Sequence, residues 1–134
     1  MDRYLFPAIF ERNENGGYTI TFPDLSIVTE GDNLSHALNM AKEALELHLY
    51  GLEEDHDPIP EPTPPEQVEV PRAAFVTVIE VYMPPVREEM AHKAVNTTVT
   101  LPRWLKNAAK EHGLNLSEVL QYAVKERIGI HERN

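Results

Sequence analysis

The chain has 134 residues, enough for one ordinary domain or two small ones, and none of its apolar runs approaches the length that spans a membrane. It contains no cysteine, which excludes a disulfide framework and a thiolate metal site and predicts a cytoplasmic protein. Its formal net charge of −10 divides unevenly: residues 1–92 carry five Lys or Arg against eighteen Asp or Glu, and residues 93–134 carry seven against four. The acidic body and the basic end predict partners of opposite charge, a basic protein and a nucleic acid, although solubilising charge explains the acidic part equally well.

The first predicted elements form a β-hairpin. Residues 3–11 alternate, with three aromatic side chains on one face, and residues 18–22 alternate again after a turn rich in Asn and Gly. Pro7 has no amide hydrogen to donate, so it predicts a sheet-edge position or a bulge for the first strand.

A third strand and the main helix are predicted next. Residues 25–29 are consistent with a short strand. From about residue 33 to residue 50, leucine and alanine recur at spacings of three and four, which predicts an amphipathic helix. Asp32 is predicted to cap this helix and Gly51 to end it.

A proline-rich stretch separates the helix from the last strand of the N-terminal half. Residues 53–71 hold six of the eleven prolines, which excludes a helix or a central strand and predicts an extended, partly mobile loop. Residues 73–83 then form the strongest predicted strand, which Pro84-Pro85 ends. A short helix is expected over residues 86–92, and a domain boundary near residues 90–93.

The C-terminal segment is predicted to contain one strand and two helices. Residues 95–101 alternate as a strand. Pro102 suits the first turn of a helix that Gly113 closes, and Ser117 is predicted to cap the second helix.

This segment is expected to need a second copy of itself. A single strand leaves a row of backbone N–H and C=O groups unpaired, and two short helices bury little apolar surface. Two copies solve both problems if their strands pair antiparallel above four interlocked helices. The paired ribbon then presents Asn96, Thr98 and Thr100 of both chains on one polar surface, which suits a DNA major groove.

Two stretches resemble known families. The motifs FPDL (22–25), TEGD (29–32) and AKEAL (41–45) resemble the N-terminal domain of HicB-type antitoxins, where such motifs lie between a hairpin and a helix. The family usually has Pro-Gly after the Asp-Leu, whereas this chain has Ser26-Ile27. Residues 96–128 resemble a ribbon-helix-helix DNA-binding domain. In this order the two resemblances cover most of the chain, which is similar to HicB-type antitoxins.

The resemblance implies an α+β fold with two domains. Residues 1–90 would form a toxin-binding domain, an antiparallel sheet with one main helix that resembles a truncated ribonuclease H fold without its catalytic carboxylates. Residues 93–134 would form the ribbon-helix-helix domain as an intertwined homodimer, with a tetramer left open. The implied function is that of an antitoxin in a type II HicAB toxin–antitoxin system. It would bind a HicA-like ribonuclease toxin and repress its own operon at operator DNA, with no cofactor and no membrane involved.

Two sets of residues are expected to carry these roles. The resemblance assigns base contacts to Asn96, Thr98 and Thr100, and phosphate contacts to the backbone at Leu116 and Ser117. Lys93, Arg103 and Lys106 are nearby cations that are candidates for further phosphate contacts. The toxin is expected to bind the acidic residues Glu11, Asp24, Glu30 and Asp32, whose carboxylates would compete with RNA phosphates for its basic surface. Strands of the family often carry an outward Arg or Lys, and this strand has none, so the ribbon itself is expected to contribute little charge to DNA affinity.

Three alternatives stay open on the sequence. A ligand- or metal-sensing ribbon-helix-helix repressor would hold a metabolite or a metal ion in its N-terminal domain. A small metal-dependent nuclease would bind Mg²⁺ through Asp24, Glu30 and Asp32, although turn formation and helix capping explain these acids more simply. A dimerisation module without DNA binding would account for the uncharged ribbon. The histidines show no metal-binding spacing and no catalytic motif is present, so no enzyme activity is predicted.

Overall fold

The computed structural model describes residues 1–130, so the last four residues of the predicted 93–134 domain lie outside the described part. The chain divides into two compact units, Met1–Ala94 and a second that begins at Val95. In chain order the first unit contains β1 (Arg3–Arg12), β2 (Tyr18–Phe22), β3 (Ile27–Gly31), α1 (Leu34–Glu54), a 3-10 turn (Pro65–Gln67), β4 (Ala74–Tyr82) and α2 (Met83–His92). The second unit contains α3 (Arg103–Glu111) and α4 (Leu116–Ile128). The predicted α+β class is confirmed.

The first unit is a four-stranded antiparallel sheet in the order β3-β2-β1-β4, with α1 packed on one face. Alternation along the strands directs apolar side chains toward α1, whose own alanines and leucines recur at helical spacing. The core between them contains Phe6, Phe10, Ile20, Phe22, Leu45 and Leu49, each at most 1% exposed. Because burying one such side chain stabilises a fold by about 1.5–3 kcal/mol, this layer is the main source of the unit's stability.

Gly31 allows the end of β3 to lie against the start of α1. A Cβ atom at this position would be 2.4 Å from the backbone nitrogen of Ala37, which is closer than two such atoms can approach. Ala37 is itself fully buried. The packing gives a structural reason for the glycine of the TEGD motif.

β1 is an interior strand, so the predicted edge position for its proline is wrong. The register between β1 and β4 runs unbroken from Arg3, opposite Tyr82, to Glu11, opposite Ala74, so no bulge accommodates the proline there.

The hydrogen-bond pattern of the sheet explains how Pro7 is tolerated. The N–H of Met83 donates to the carbonyl of Asp2 (2.7 Å), and these two residues continue the β1–β4 register. Hydrogen-bonded pairs alternate along an antiparallel ladder, so the pair of Pro7 and Val78 exchanges no hydrogen bond. The nitrogen of Pro7 therefore faces the β2 side, where β2 pairs only with residues 9–12 and has already ended.

Asn33 caps α1, which corrects the expectation for Asp32. The backbone of Asn33 is extended and its side-chain oxygen accepts the N–H of His36 (2.8 Å). The N–H of Asp32 donates instead to Nδ1 of His36 (2.9 Å). The side chains of Asn33 and His36 therefore both hydrogen-bond to backbone N–H groups in the turn between β3 and α1 and stabilise it.

Two element boundaries differ from the predictions for tertiary reasons. β3 spans Ile27–Gly31 rather than residues 25–29, because Leu25 turns into the core directly after β2. α1 continues through Gly51 to Glu54. Glycine costs about 1 kcal/mol within a helix, but the following residues form packing and ion-pair contacts that favour the extra turn.

α2 begins three residues earlier than predicted, at Met83. Pro84 and Pro85 occupy its first turn, where backbone N–H groups have no helical acceptor, so their missing hydrogens cost nothing. The two prolines therefore end β4 and begin α2.

The connection between α1 and β4 contains neither α-helix nor strand over residues 55–73, as its prolines predict. Ile59 packs against the core and Thr63 hydrogen-bonds to Asp24, so both residues hold this connection against the sheet and helix of the first unit.

In the second unit, the turn between α3 and α4 depends on Gly113. This residue adopts a φ of 65°, and the N–H groups of Gly113 and Leu114 donate to the carbonyls of Lys110 and Ala109. This pattern closes a helix with a left-handed residue that favours glycine. The predicted end of the helix at Gly113 is confirmed.

Candidate functional surfaces

Two of the four predicted toxin-binding acids lie side by side on the sheet. Glu11 on β1 and Glu30 on β3 are both opposite Thr19 of the intervening strand β2. Directly opposite residues in a sheet share a face, and adjacent strands lie about 5 Å apart, so the two carboxylates flank Thr19 on the face away from α1. Both glutamates are exposed. The sheet therefore joins two acids that are nineteen residues apart in the sequence.

Asp24 and Asp32 lie elsewhere, and each contacts one other side chain, Thr63 and His36 respectively. Thr63 donates to both carboxylate oxygens of Asp24, from its N–H at 2.9 Å and from its hydroxyl at 2.5 Å. Asp32 follows β3, and its carboxylate lies 3.6 Å from Nδ1 of His36. Asp24 is thus engaged in holding the proline-rich loop, whereas the Asp32 side chain is almost fully exposed.

A second acidic surface, the α1–α2 groove, was not predicted from the sequence. It has a volume of about 420 Å³ and is lined by Glu43, Glu46, Leu47, Val86, Glu89, Met90 and Lys93. Burial raises the pKa of Glu46, and the nearby Lys42 opposes this while Glu89 and Glu43 reinforce it. The acidic residues were visible in the sequence as two separate groups, Glu43 with Glu46 on α1 and Glu88-Glu89 on α2. Only the packing of the two helices brings these groups together.

Arg87 ties the N-terminus to the two helices. Its guanidinium binds both carboxylate oxygens of Glu53 (3.0 and 2.7 Å), the carboxylate of Asp2 (2.7 Å) and the carbonyl of Met1 (2.7 Å). The hydrogen bonds from Arg87 are the main cause that lowers the pKa of Glu53 and of Asp2. The hydrogen bonds of Arg87 thus have a structural role, since they hold α2 against the end of α1.

The predicted ribbon segment, residues 95–101, is not a strand within one chain, because no described segment pairs with it. Its three predicted base-contacting residues, Asn96, Thr98 and Thr100, are exposed. The alternate residues are apolar and also exposed, with Val95 at 81% and Val99 at 59%. Both faces of the segment therefore lie open in the isolated chain.

Apolar exposure extends over the helices of the second unit. Trp104 is 71% exposed and Tyr122 is 69% exposed, and in the described part of this unit only Ala109 is buried. An exposed apolar surface of this extent marks an interaction site in a stable protein. A single copy of this unit has no core of its own.

Asn115, rather than the predicted Ser117, caps α4. Its side-chain oxygen accepts the N–H of Glu118 at 3.3 Å. No described acceptor contacts the N–H groups of Leu116 and Ser117, the two residues between the cap and Glu118. These amides point from a helix N-terminus, where an anion is electrostatically favoured.

A groove of about 880 Å³, the α3–α4 groove, lies beside these amides. It is lined by Leu101, Arg103, Lys106, Asn107, Lys110, Leu114, Asn115, Leu116 and Ser117. The structure thus places Arg103 and Lys106 in one groove with the first residues of α4. It adds Lys110, which the spacing of four residues from Lys106 on one helix would have indicated.

Lys93 does not line this groove. It belongs to the first unit, where it lies at the end of the α1–α2 groove beside acidic residues. Of the predicted DNA-contacting positions, Lys93 therefore belongs to the first unit and all the others belong to the second.

Among residues 1–130, no three His, Cys, Asp or Glu side chains are grouped closely enough to hold a metal ion. The three acids considered for Mg²⁺ binding are separated accordingly, since Asp24 lies at the β2–β3 turn and Glu30 and Asp32 lie at the other end of β3. No described helix is both long enough and apolar enough to cross a membrane.

A family comparison covers most of the chain. The family model described as a HicB-like antitoxin of bacterial toxin–antitoxin systems matches residues 6–123, and the chain belongs to this family. The match spans most of both units.

The chain is similar in sequence to two known proteins and in fold to a solved structure. The chain is 33% identical over 105 residues to an uncharacterized 14.9 kDa protein of the rep-hol intergenic region of Haemophilus phage HP1, covering 75% of each chain. It is 41% identical over 77 residues to Antitoxin HicB 1 of Photorhabdus laumondii, covering 55% of this chain and half of that protein. A chain in a toxin–antitoxin complex from Streptococcus pneumoniae has a TM-score of 0.62 and 24% identity, over 93% of this chain and 99% of that chain. This structural similarity concerns the fold alone.

Proposed function

We propose that this HicB-like antitoxin neutralises a small basic ribonuclease of the HicA type through its first unit and represses its own operon through its second. The observation that carries the proposal is the contrast between the units. The first has a complete core and an acidic surface, whereas the second has exposed apolar side chains and a cationic groove.

Toxin binding is assigned to the first unit on charge and stability. Residues 1–92 have a surplus of thirteen acidic groups, and a ribonuclease must present cations to bind RNA phosphates. Carboxylates on a rigid sheet, such as Glu11 and Glu30, offer those cations an alternative partner. The similar chain from Streptococcus pneumoniae belongs to a toxin–antitoxin complex, which agrees with such a partner for a protein of this fold.

Co-expression with the product of the adjacent gene tests this assignment. A basic ribonuclease is expected to co-purify with the full chain and with residues 1–94, and to lose its RNA cleavage in the complex. The double variant Glu11→Lys, Glu30→Lys is expected to weaken the complex at least about tenfold, since two close charge pairs are removed. The control variant Glu14→Lys, Glu61→Lys makes the same change in net charge at other exposed positions.

The toxin assignment fails if the complex requires the second unit and residues 1–94 do not bind. It also fails if the control double variant weakens binding as much as the Glu11 and Glu30 variant, because the effect would then follow net charge alone.

Pairing of two second units is proposed because one copy lacks both a core and a partner strand. Antiparallel pairing of residues 95–101 would satisfy the backbone and cover the exposed valines of both copies. Val99→Pro removes a backbone donor from the centre of that ribbon and is expected to abolish pairing of residues 93–134. A folded monomer of unaltered 93–134 in sedimentation analysis would contradict the proposal.

DNA binding then follows from the arrangement on each paired unit. The ribbon would direct Asn96, Thr98 and Thr100 to base edges, while the amides of Leu116 and Ser117 bind phosphate beside the cations of the α3–α4 groove. The single-copy structure supports this by leaving those two amides without a described protein acceptor.

A gel-shift titration against the promoter region of the operon tests the ribbon. Replacing Asn96, Thr98 and Thr100 together by alanine is expected to reduce the preference for operator over random DNA while leaving random-DNA affinity nearly unchanged. An unchanged preference in this variant would show that the ribbon does not recognise operator sequence.

A further inference from the structure

The N-terminal half of β1 has a neighbouring strand on one side only. β2 pairs with residues 9–12 of β1, whereas residues 3–7 pair with β4 alone. The hydrogen bond from Met83 to Asp2 places the even-numbered residues of β1 in hydrogen-bonded pairs with β4, so the N–H and C=O groups of Arg3 and Leu5 point toward the β2 side. Within residues 1–130, no described hydrogen bond reaches these groups.

A cleft of about 440 Å³, the β1 slot, lies along this part of the strand. Residues 3–6 of β1 form one part of its lining, and residues 59–62 of the proline-rich connection form another. The lining is mostly apolar, and it includes the buried ring of Phe6 and the half-buried ring of Tyr4. The volume lies within the range of about 300–1,000 Å³ that is usual for clefts that bind ligands.

The proline-rich connection is held beside the slot without pairing to β1. Ile59 packs against the core and Thr63 hydrogen-bonds to Asp24, so the residues between them are fixed at both ends. Every second residue from 58 to 62 is a proline, which has no N–H to donate, so this segment can pair as a strand through only one of its edges. None of its N–H groups donates to β1 in the described structure. The open backbone groups of β1 therefore stay available.

The groove next to the slot is acidic. Ile59 lines this groove as well, together with Glu54 and Asp57, which are both exposed. Arg87 is the cation of the groove, and its guanidinium is already engaged in the cluster described above. Among residues 1–130, neither Glu54 nor Asp57 forms an ion pair with Lys or Arg. A basic side chain next to Ile59 would therefore meet two carboxylates whose charge is not neutralised.

We propose that the β1 slot binds an extended segment of the toxin, whose backbone pairs with Arg3 and Leu5 as an added strand. An apolar side chain of the segment packs into the slot, and a neighbouring Lys or Arg binds Glu54 and Asp57. Main-chain hydrogen bonds supply affinity in such a complex, and side chains at alternate positions supply specificity. The inference rests on the proposed function and identifies a further contact of the same partner.

The position and the charge of the slot both favour the toxin. Glu11 lies six residues beyond Leu5 on the same strand, about 20 Å away, so one small protein can contact both. A second copy of this chain fits less well, because residues 1–92 carry five Lys or Arg against eighteen Asp or Glu and would be repelled by Glu54 and Asp57.

Amide hydrogen exchange on the full chain tests the backbone pairing directly. With the co-purified basic ribonuclease bound, exchange at Arg3 and Leu5 is expected to slow by at least about tenfold relative to the free chain. The amide of Tyr4 is the internal control, because it already lies in a hydrogen-bonded pair with β4. Equal slowing at Tyr4 would report a general stabilisation of the sheet instead.

Two variants at one position separate the backbone donor from the side chain. Leu5→Pro removes the N–H that faces the slot and leaves the ladder to β4 intact, as Pro7 does two residues further on. It is expected to weaken toxin binding by at least about tenfold. Leu5→Ile keeps both the donor and an apolar side chain, and it should change the affinity by less than about twofold. Thermal unfolding checks that each variant keeps its fold, and the exchange measurement on the unaltered chain decides if Leu5→Pro unfolds.

A pair of charge variants tests the basic character of the segment. Glu54→Gln with Asp57→Asn is expected to weaken toxin binding at low salt and to reduce its salt dependence. Glu66→Gln with Glu69→Gln makes the same change in net charge further along the connection and should have a smaller effect. Equal losses from the two double variants would overturn the contact to Glu54 and Asp57.

The proposal is overturned if the ribonuclease binds the full chain but exchange at Arg3 and Leu5 slows no more than at Tyr4. Toxin binding by the first unit would then stand, and only the slot would be excluded. A folded Leu5→Pro variant that keeps its toxin affinity also overturns it, and if the mass of the assembly falls in that variant, the slot belongs to a second copy. If no basic ribonuclease binds the full chain, the proposed function itself fails.

Discussion

Thr63 binds both carboxylate oxygens of Asp24, although 39 residues separate the two in the sequence. The contact fastens the middle of the proline-rich loop to the turn between β2 and β3. It assigns a structural role to the Asp of the FPDL motif, one of the four acids that the sequence suggested for toxin binding.

Asp24→Ala is expected to release this loop. Loss of two hydrogen bonds to a charged group should destabilise the first unit by about 1–3 kcal/mol and raise amide exchange at Thr63. Asp32→Ala is the control, because the Asp32 side chain is 94% exposed and its removal should change the unfolding free energy by less than about 0.5 kcal/mol. Hydrogen exchange and thermal unfolding measure both variants, and equal effects would contradict the assigned contact.

Alanine variants of Asn115 and Ser117 should show which of the two residues caps α4. Asn115→Ala is expected to lower the stability of the second unit by about 1 kcal/mol, because the N–H of Glu118 loses its acceptor. Ser117→Ala should be nearly neutral for stability, since Ser117 lies within the first turn. Denaturant unfolding of the paired segment compares the two, and a larger loss for Ser117→Ala would restore the cap predicted from sequence.

The Arg87 cluster predicts a pH-dependent stability. The hydrogen bond to Arg87 lowers the pKa of Glu53 in the folded chain below its ordinary value of 4.5. At a pH between the lowered folded pKa and 4.5, the unfolded chain therefore binds a proton that the folded chain does not. The stabilisation is therefore complete above about pH 4.5 and is lost as the pH falls through the lowered folded value.

Arg87→Met should thus lower the unfolding free energy at neutral pH by about 1–3 kcal/mol, and the difference from wild type should shrink below pH 4.5. Arg3→Met removes only the exposed pair with Glu80 and should cost about 0–1 kcal/mol. Urea unfolding at several pH values tests this. A difference between Arg87→Met and wild type that is independent of pH would contradict the role of the Glu53 carboxylate.

The cations of the α3–α4 groove should control the salt dependence of DNA binding. Replacing Lys106 and Lys110 by glutamine is expected to weaken operator and random DNA alike and to reduce the salt slope by about one for each cation that binds a phosphate. Lys42→Gln on α1 removes one positive charge from the first unit and should leave the slope unchanged. A normal slope in the double variant would place the phosphate-binding groups outside this groove.

Local sequence patterns determined most of the elements. The apolar alternation that ends in Phe10 and Phe22, the helical spacing that includes Leu45 and Leu49, and the glycine at position 113 each act over a few residues. Propensity and periodicity report such effects directly. For the same reason the resemblance to HicB-type antitoxins is visible without a structure.

What only the tertiary structure decided depends on contacts between distant residues. The edge position predicted for Pro7 is wrong, because the sheet accepts a proline in this interior strand at a point beyond the end of β2. The helix end predicted at Gly51 is wrong, because Leu52 packs against the core in the next turn of the helix. The pairing of Glu11 with Glu30 across Thr19, the acidic α1–α2 groove and the β1 slot all require the strand order. Strand order is set by the summed packing of the whole unit, so no local pattern carries it.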